Sequence, residues 1–326
     1  MLTNTVAYIC LLSIVSITFL CVIVYRIIMW TRGREYEVST YAITEIQFYE
    51  PWDELVYEDI EERFQNGVDV NGNPIYGYRT VRKEKVVYHD EYFKAVLSNG
   101  DIVPISRDTY ISAFKRFGTE EFFFDMKRNF HSIDGNMWYC VWNRIPINTF
   151  TLSFEKGYTN PVRCKNSIFN RKHINKKTAK QEGLYEKYTG DLCYECVYGY
   201  NITAEQASYI GYVNDYLTNY NGMRILFLFF YDKQREIAIK QRDYWLNGSR
   251  NELVVCIGIC DNKIDWCVPF SWSNDRTLEL MVASEVLSHR NVIDVCEWAQ
   301  YVMQNADKWV YNDLSEYDYL KGVNID

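Results

Sequence analysis

The sequence predicts a mixed fold of the α+β or α/β class. An N-terminal transmembrane helix is followed by a β-rich module next to the membrane and by a C-terminal α/β domain, in which helices pack on a small sheet. Three observations predict this fold. An uncharged apolar run opens the chain, alternation of apolar and polar residues dominates the part that follows, and helix and strand patterns take turns from residue 200 onward.

The composition is that of a folded protein. Hydrophobic residues make up 48% and aromatic residues 17% of the 326 residues, far more apolar surface than a disordered chain carries. The formal charge of −8 argues against a general nucleic-acid-binding protein, because such proteins are normally basic. We therefore expect one large or two modest domains and no nucleic acid among the partners.

The first apolar run predicts a membrane anchor over residues 5–30. Residues 5–25 carry no charge, and 21 helical residues span about 30 Å, the thickness of a hydrocarbon core. A cleaved signal peptide would have positive residues before the run, whereas Arg26, Arg32 and Arg34 follow it. The predicted anchor residues are Val6, Leu12, Phe19, Val24 and Trp30.

The three arginines also predict the orientation. Positive residues beside a span favour the cytoplasmic side of the membrane. We therefore expect a single-pass membrane protein with the lipid bilayer as one partner and a cytoplasmic body.

Residues 40–155 are expected to form a mixed, mainly β, module. Two dipeptides, Asn71-Gly72 and Asn99-Gly100, are hairpin turn signals between β-prone runs. One helix is expected after Ser106, whose side chain is suited to cap it.

Residues 156–199 are expected to be a basic connector. Nine Lys or Arg residues fall between 156 and 187. Such a segment is suited to bind anionic lipid headgroups or nucleic acid, but a solvated connector is the simpler interpretation.

From residue 200 to 312 the sequence predicts a compact α/β domain. Its first helix has Thr203 and Gln206 in capping-box spacing and a natural stop at Gly222. The next nine residues, "MRILFLFFY", are too few to cross a membrane, so we expect a central strand with Leu226 and Leu228 buried. A second helix, two strands around an Asp261-Asn262 turn and two closing helices follow, and residues 313–326 form an acidic tail.

Several stretches resemble known proteins. Residues 200–312 resemble the TPM domain, a family named for thylakoid, periplasmic and membrane-associated proteins. That resemblance rests on "ITAEQ", "RILFLFF", "NELVVCIGI" and "DNKIDWCVPF". The N-terminal part is similar to membrane-anchored proteins of gut bacteria and their phages, through "EPWDELV", "YHDEYF" and "EKGYTNPVRCKNSIFN".

The TPM resemblance implies a C-terminal α/β sandwich, a role in the maintenance of membrane complexes, metal binding and a weak acid phosphatase activity. Calcium or magnesium would be the metal, since both prefer oxygen ligands. The candidate ligands are four aspartates that are expected near one end of the sheet: Asp232, Asp261, Asp265 and Asp275. Asp261 is also an ordinary hairpin residue and Asp275 an ordinary helix-start residue, and no residue is predicted to be catalytic.

Cys193 and Cys196 have C-x-x-C spacing. A zinc site would need a second pair, and on a strand these two side chains point to opposite faces. Buried free thiols are therefore favoured, with a zinc or redox role as the alternative.

Together these features predict a non-enzymatic scaffold or regulator of a membrane-associated assembly, with a protein partner at the membrane. A metal-dependent phosphatase of the TPM type is one alternative. A phage-encoded protein that acts at the host envelope is another.

Overall fold

The computed structural model describes most of the chain between residues 34 and 312. The described residues are 15–24, 27, 34–117, 121–124, 136–142, 145–146, 149–159, 174–187, 196–273 and 275–312. The predicted acidic tail, Cys193 and much of the predicted basic connector lie outside them.

Between residues 34 and 312 the described elements are twelve strands, six α-helices and one short 3-10 helix, Ala306–Lys308. The strands are β1 (Arg34–Tyr49), β2 (Trp52–Val68), β3 (Pro74–His89), β4 (Tyr92–Leu97), β5 (Ile102–Pro104), β6 (Glu121–Phe124), β7 (Met137–Val141), β8 (Thr151–Thr159), β9 (Val197–Tyr198), β10 (Arg224–Tyr231), β11 (Glu252–Cys260) and β12 (Lys263–Phe270). The helices are α1 (Arg107–Phe117), α2 (Lys176–Glu182), α3 (Ala204–Asn221), α4 (Glu236–Tyr244), α5 (Thr277–Ser288) and α6 (Val295–Gln304).

The N-terminal segment corrects the predicted fold class. Residues 15–24 are helical and exposed, and they include Phe19 and Val24. Residue 27 is helical as well. Val6, Leu12 and Trp30 lie outside the described residues.

Among all the residues that can be described, no helix is both long and apolar enough to cross a bilayer. The predicted fold class is therefore wrong in its transmembrane helix, and the structure supports a mixed α/β fold without it. The predicted location stays a prediction.

The chain divides into two compact units. The small unit is Ile43–Asn143, and the large unit contains the residues before and after it. Strand β1 contributes to both, because residues 34–42 pair with β8 and the rest pairs with β4 and β7. Residues 34–42 and 149–159 therefore fold with the C-terminal part of the chain.

The small unit is built on an antiparallel sheet in the order β5-β4-β1-β7-β6. Helix α1 starts as expected, since the Ser106 hydroxyl accepts a hydrogen bond from the Thr109 amide at 3.1 Å. Ile46, Ala95 and Ala113 have no exposed surface and mark the centre of this unit. Strands β2 and β3 form a separate two-stranded sheet.

The large unit contains a four-stranded sheet in the order β12-β11-β10-β9. Strands β9, β10 and β11 are parallel, and α3 and α4 connect them, while β12 returns antiparallel. Helices α3, α5 and α6 cover one face of this sheet and α2 and α4 the other. This is the layered arrangement in which parallel strands are buried on both faces.

Strand β10 confirms the interpretation of "MRILFLFFY" as a buried strand. It pairs with β11 along its whole length and with β9 at Phe227 and Leu228. Leu226 and Leu228 are 2% and 0% exposed, as predicted.

Two local predictions in this unit are confirmed. Thr203 and Gln206 form a capping box at the start of α3, and Gly222 ends the helix in the left-handed conformation. Asp261 and Asn262 both have positive φ and connect β11 to β12 by a two-residue turn, which matches the twist of the paired strands.

A side chain replaces a missing strand partner beside β10. Because β9 has only two residues, it does not reach Ile225. The amide of Asn214 on α3 takes its place. Its Oδ1 accepts from the Ile225 amide at 2.8 Å, and its Nδ2 donates to the Ile225 carbonyl at 3.2 Å.

Helix α3 also holds the first strand in the large unit. The buried carboxylate of Asp215 accepts a hydrogen bond from the Ala42 amide at 2.9 Å, and the Thr218 hydroxyl accepts from the Thr40 amide at 3.2 Å. The amides of Thr40 and Ala42 in β1 thereby have hydrogen-bond acceptors on a helix rather than on another strand.

Replacing Leu228 by Ala tests the central position of β10. The Leu228→Ala variant should lose about 2–5 kcal/mol of unfolding free energy, because a fully buried leucine leaves a cavity. Leu280→Ala on α5 is the matched control, since Leu280 is 66% exposed. Urea unfolding followed by far-UV circular dichroism measures both, and equal losses would contradict the burial of Leu228.

Candidate functional site

The most exposed structure in the small unit is the ribbon formed by β2 and β3, called the β-ribbon below. Its strands share fifteen residue pairs, from Trp52↔His89 to Val68↔Pro74. The uninterrupted part, residues 52–65, measures about 45 Å at roughly 3.4 Å per residue. No residue of either strand is buried, and across the described chain neither outer edge pairs with a further strand.

The tip of the β-ribbon is closed by one carboxylate. Asp69 Oδ1 accepts hydrogen bonds from the amides of Asn71 and Asn73, both at 2.8 Å. Its Oδ2 accepts from the Asn73 side chain at 3.1 Å, and Gly72 supplies the positive φ. The hydrogen bonds from Asn73, above all from its backbone amide, hold the pKa of Asp69 below its usual value. This confirms a turn at Asn71-Gly72.

One face of the β-ribbon presents apolar and aromatic side chains to solvent. Leu55 lies opposite Val86, and they are 61% and 62% exposed. Tyr57 and Tyr88 on the same face are 55% and 63% exposed. Exposed apolar groups that stand together mark contact surfaces more often than scattered ones do.

The two strands of the β-ribbon carry opposite charge. Strand β2 has six Asp or Glu and one Arg, a formal charge of −5, while β3 has four Lys or Arg and one Glu, a formal charge of +3. Some of these charges pair within the ribbon, including Asp59 with Arg82 at 3.5 Å and Glu58 with Lys85 at 2.7 Å.

The large unit contains a cavity of about 380 Å³. Strands β1 and β8, the segment around β9 and helix α3 surround it. Its lining residues include four that carry a hydroxyl group, Thr40, Thr151, Ser153 and Tyr200, and one that carries a thiol, Cys196. Its described lining includes no His, Asp or Glu, so it does not bring a nucleophile together with a general base.

Cys196 is half-buried beside this cavity. Its Sγ accepts hydrogen bonds from Asn214 Nδ2 at 3.2 Å and from Arg224 Nη2 at 3.6 Å. The predicted partner in C-x-x-C spacing, Cys193, lies outside the described residues. A shared zinc or redox site therefore stays a prediction.

Arg224 belongs to a buried charge cluster with Glu252 and Lys187. Glu252 is 1% exposed, with Oε1 3.7 Å from Arg224 Nη1 and Oε2 3.1 Å from Lys187 Nζ. The Ser249 amide donates to the same Oε2 at 2.7 Å. Burial alone would raise the pKa of Glu252, but the charges of Lys187 and Arg224 and the Ser249 hydrogen bond lower it below its usual value. The cluster is structural, because its charges face one another.

The structure brings three of the four predicted metal ligands close to one thiol. The charges of Asp261, Asp232 and Asp265, in that order, together with a hydrogen bond to Asp232, raise the pKa of Cys260. Asp275 is engaged elsewhere, since its Oδ1 accepts from the amide and the hydroxyl of Thr277 at 2.9 and 2.7 Å. Metal binding by the four aspartates stays a prediction.

A different group meets the spacing that metal ligands need. Glu285, His289 and Glu297 each offer one ligand atom, and these atoms lie within 4.8 Å of one another. In the part of the chain with described coordinates, the aspartates near Cys260 do not reach that spacing. The three residues are half-buried or exposed at the junction of α5 and α6.

The sequence predicted the turn of the β-ribbon, but the opposite charge of its two strands was not predicted. The signal was present as an acidic run, "DELVYEDIEE", followed after the turn by a basic run, "RTVRKEK". The buried cluster around Glu252 had no such signal, because burial of a single charge depends on contacts between distant residues.

No family model, no curated protein and no solved structure matches the chain.

Replacing Glu252 by Gln tests the buried cluster. The Glu252→Gln variant should lose about 3–5 kcal/mol of unfolding free energy, because the buried guanidinium of Arg224 keeps its charge without an opposite one. Asp307→Asn makes the same chemical change in the exposed pair with Lys308 and should leave stability nearly unchanged. Urea unfolding measures both, and a stable Glu252→Gln variant would refute the cluster.

Acid should loosen the tip of the β-ribbon. The pKa of Asp69 is lowered in the folded protein, so its stabilisation is complete above the unfolded pKa of about 3.9 and is lost as the pH falls through the lower folded value. NMR shifts of the Asn71 and Asn73 amides should therefore change below about pH 4. Asp69→Asn cannot titrate and is the control; an identical acid response in that variant would disprove the assignment.

Proposed function

We propose that this protein is a non-enzymatic scaffold that contacts a partner protein through its β-ribbon. The observation that supports this proposal is the ribbon's complete lack of buried residues over fifteen residue pairs. A two-stranded hairpin alone is only marginally stable in water. We therefore expect a hairpin of this length to be stabilised by contact with another surface.

The chemistry of the β-ribbon supports a protein as the partner. Tyr57 and Tyr88 are largely exposed, and tyrosine is enriched at protein interfaces because it combines apolar area with a polar group. The outer edges of β2 and β3 offer backbone groups that can pair with a further strand.

The other predicted properties agree with this role and stay predictions. They are the TPM resemblance with its link to membrane complexes, a place at the membrane, and the two alternatives of a metal-dependent phosphatase and of a phage-encoded protein at the host envelope. The cavity next to Cys196 lacks a described base, and Asp275 is engaged with Thr277, so neither favours catalysis over contact.

A photocrosslinking experiment in native cells tests the proposal. A photoreactive phenylalanine analogue replaces Tyr57 on the β-ribbon or, as the matched control, Tyr220 on α3. These positions are 55% and 57% exposed. Position 57 should give one discrete adduct on irradiation, and position 220 should not, because only the ribbon is expected to be covered. No adduct at position 57, or the same adduct from both positions, would refute the proposal.

A further inference from the structure

Building on the proposed function, we propose that the partner of the β-ribbon is the β-ribbon of a second copy of this chain, joined edge to edge. The acidic strand β2 of one copy would pair with the basic strand β3 of the next. The inference depends on the opposite charge of the two strands and on their outer edges, with which no other described strand pairs.

Charge selects this pairing over the symmetric ones. Pairing β2 with β2 would bring together two strands of formal charge −5, and pairing β3 with β3 would bring together two of +3. Like charges on directly opposed residues are unfavourable, whereas opposite charges stabilise cross-strand pairs. Pairing β2 with β3 is the arrangement that sets strands of unlike net charge side by side.

The backbone geometry is also compatible with pairing β2 of one copy with β3 of the next. Strands β2 and β3 are antiparallel within one ribbon. A second ribbon laid beside the first in the same orientation places its β2 next to the first copy's β3, and this new pair is again antiparallel. In the resulting sheet, acidic and basic strands alternate.

The acidic groups of one ribbon outnumber its basic groups, so carboxylates remain for contacts between copies. Arg79 and Lys83 both pair with Glu62, and Arg82 pairs with Asp59. All three cations are more than half exposed, so their outer sides remain open to a second carboxylate. In the extended sheet each basic side chain lies between two acidic strands.

This interface is heterologous, because it joins two different surfaces. Each copy uses one acidic edge and one basic edge, so a bound copy still offers a free edge to the next. Such contacts build rings or open filaments rather than a closed two-fold dimer.

The first test is the association state of the purified full chain, measured by sedimentation velocity in non-ionic detergent. The detergent keeps the uncharged residues 5–25 from associating. At low ionic strength, species larger than a dimer should form as concentration rises. They should dissociate as salt is added, because screening weakens exposed charge pairs.

Two edge variants test the direction of the contact. The acid-edge variant carries Glu58→Gln, Asp59→Asn and Glu62→Gln, and the basic-edge variant carries Arg79→Gln, Arg82→Gln and Lys83→Gln. Each variant alone should stay monomeric at concentrations at which the wild type associates. Mixed together they should form a 1:1 complex that does not grow, because only one intact acidic edge and one intact basic edge remain.

A control variant has the same change in charge away from the β-ribbon. It carries Glu155→Gln, Glu236→Gln and Asp307→Asn, all at exposed positions, and should associate like the wild type. Amide hydrogen exchange of residues 52–89 reports whether the ribbon stays folded in each variant. If the ribbon of an edge variant unfolds, the salt dependence of wild-type association alone tests the inference.

Several results would overturn the inference. They are a wild type that stays monomeric at low salt, association that salt does not weaken, an edge variant that still dimerises alone, and mixed variants with folded ribbons that form no complex. If the wild type is monomeric while position 57 crosslinks to a different polypeptide, the scaffold proposal stands and self-assembly fails. If the wild type is monomeric and position 57 gives no adduct, both fail.

Discussion

The large unit depends on the burial of β10 on both faces. Side chains along this strand alternate between two apolar clusters, with Phe227 and Phe229 in one and Leu226 and Leu228 in the other. Because both clusters need this strand, the helices on the two sides of the sheet are stabilised by the same eight residues. The buried charges of Arg224 and Glu252 lie opposite each other at the start of the β10–β11 pairing, where they form an ion pair between the two strands.

The two kinds of polar structure in this chain have different consequences. Around Glu252 the charges are buried and satisfied by one another, so they contribute to a unique fold and are closed to ligands. On the β-ribbon the charges are exposed and sorted by strand, so each in-ribbon pair contributes little to stability while the edges differ strongly in potential. The buried charges around Glu252 therefore stabilise the fold, whereas the exposed charges of the β-ribbon are available to bind a partner.

Local patterns predicted those parts of the fold that local chemistry determines. The capping box at Thr203, the turn at Asp261-Asn262 and the burial of Leu228 each depend on a few neighbouring residues, and each is found. The pairing of residues 34–42 with β8 was not predicted, because partners more than a hundred positions apart leave no local signal. The predicted transmembrane helix is wrong, since no described helix is both long and apolar enough to cross a bilayer, whereas the hydropathy of residues 5–25 reports composition alone. The β-ribbon was half predicted: its turn follows from Asn71-Gly72, but the exposure of Leu55 and Val86 contradicts the usual reading of alternating apolar residues as a buried face.

Asn214 has a consequence for how β10 avoids pairing with other chains. Its amide occupies both backbone groups of Ile225 at the place where β9 is too short to do so. An apolar strand such as β10, if left open there, would be a template for amyloid-like growth, since "RILFLFFY" combines high β-propensity with low charge. One side chain thus blocks the addition of a further strand at Ile225.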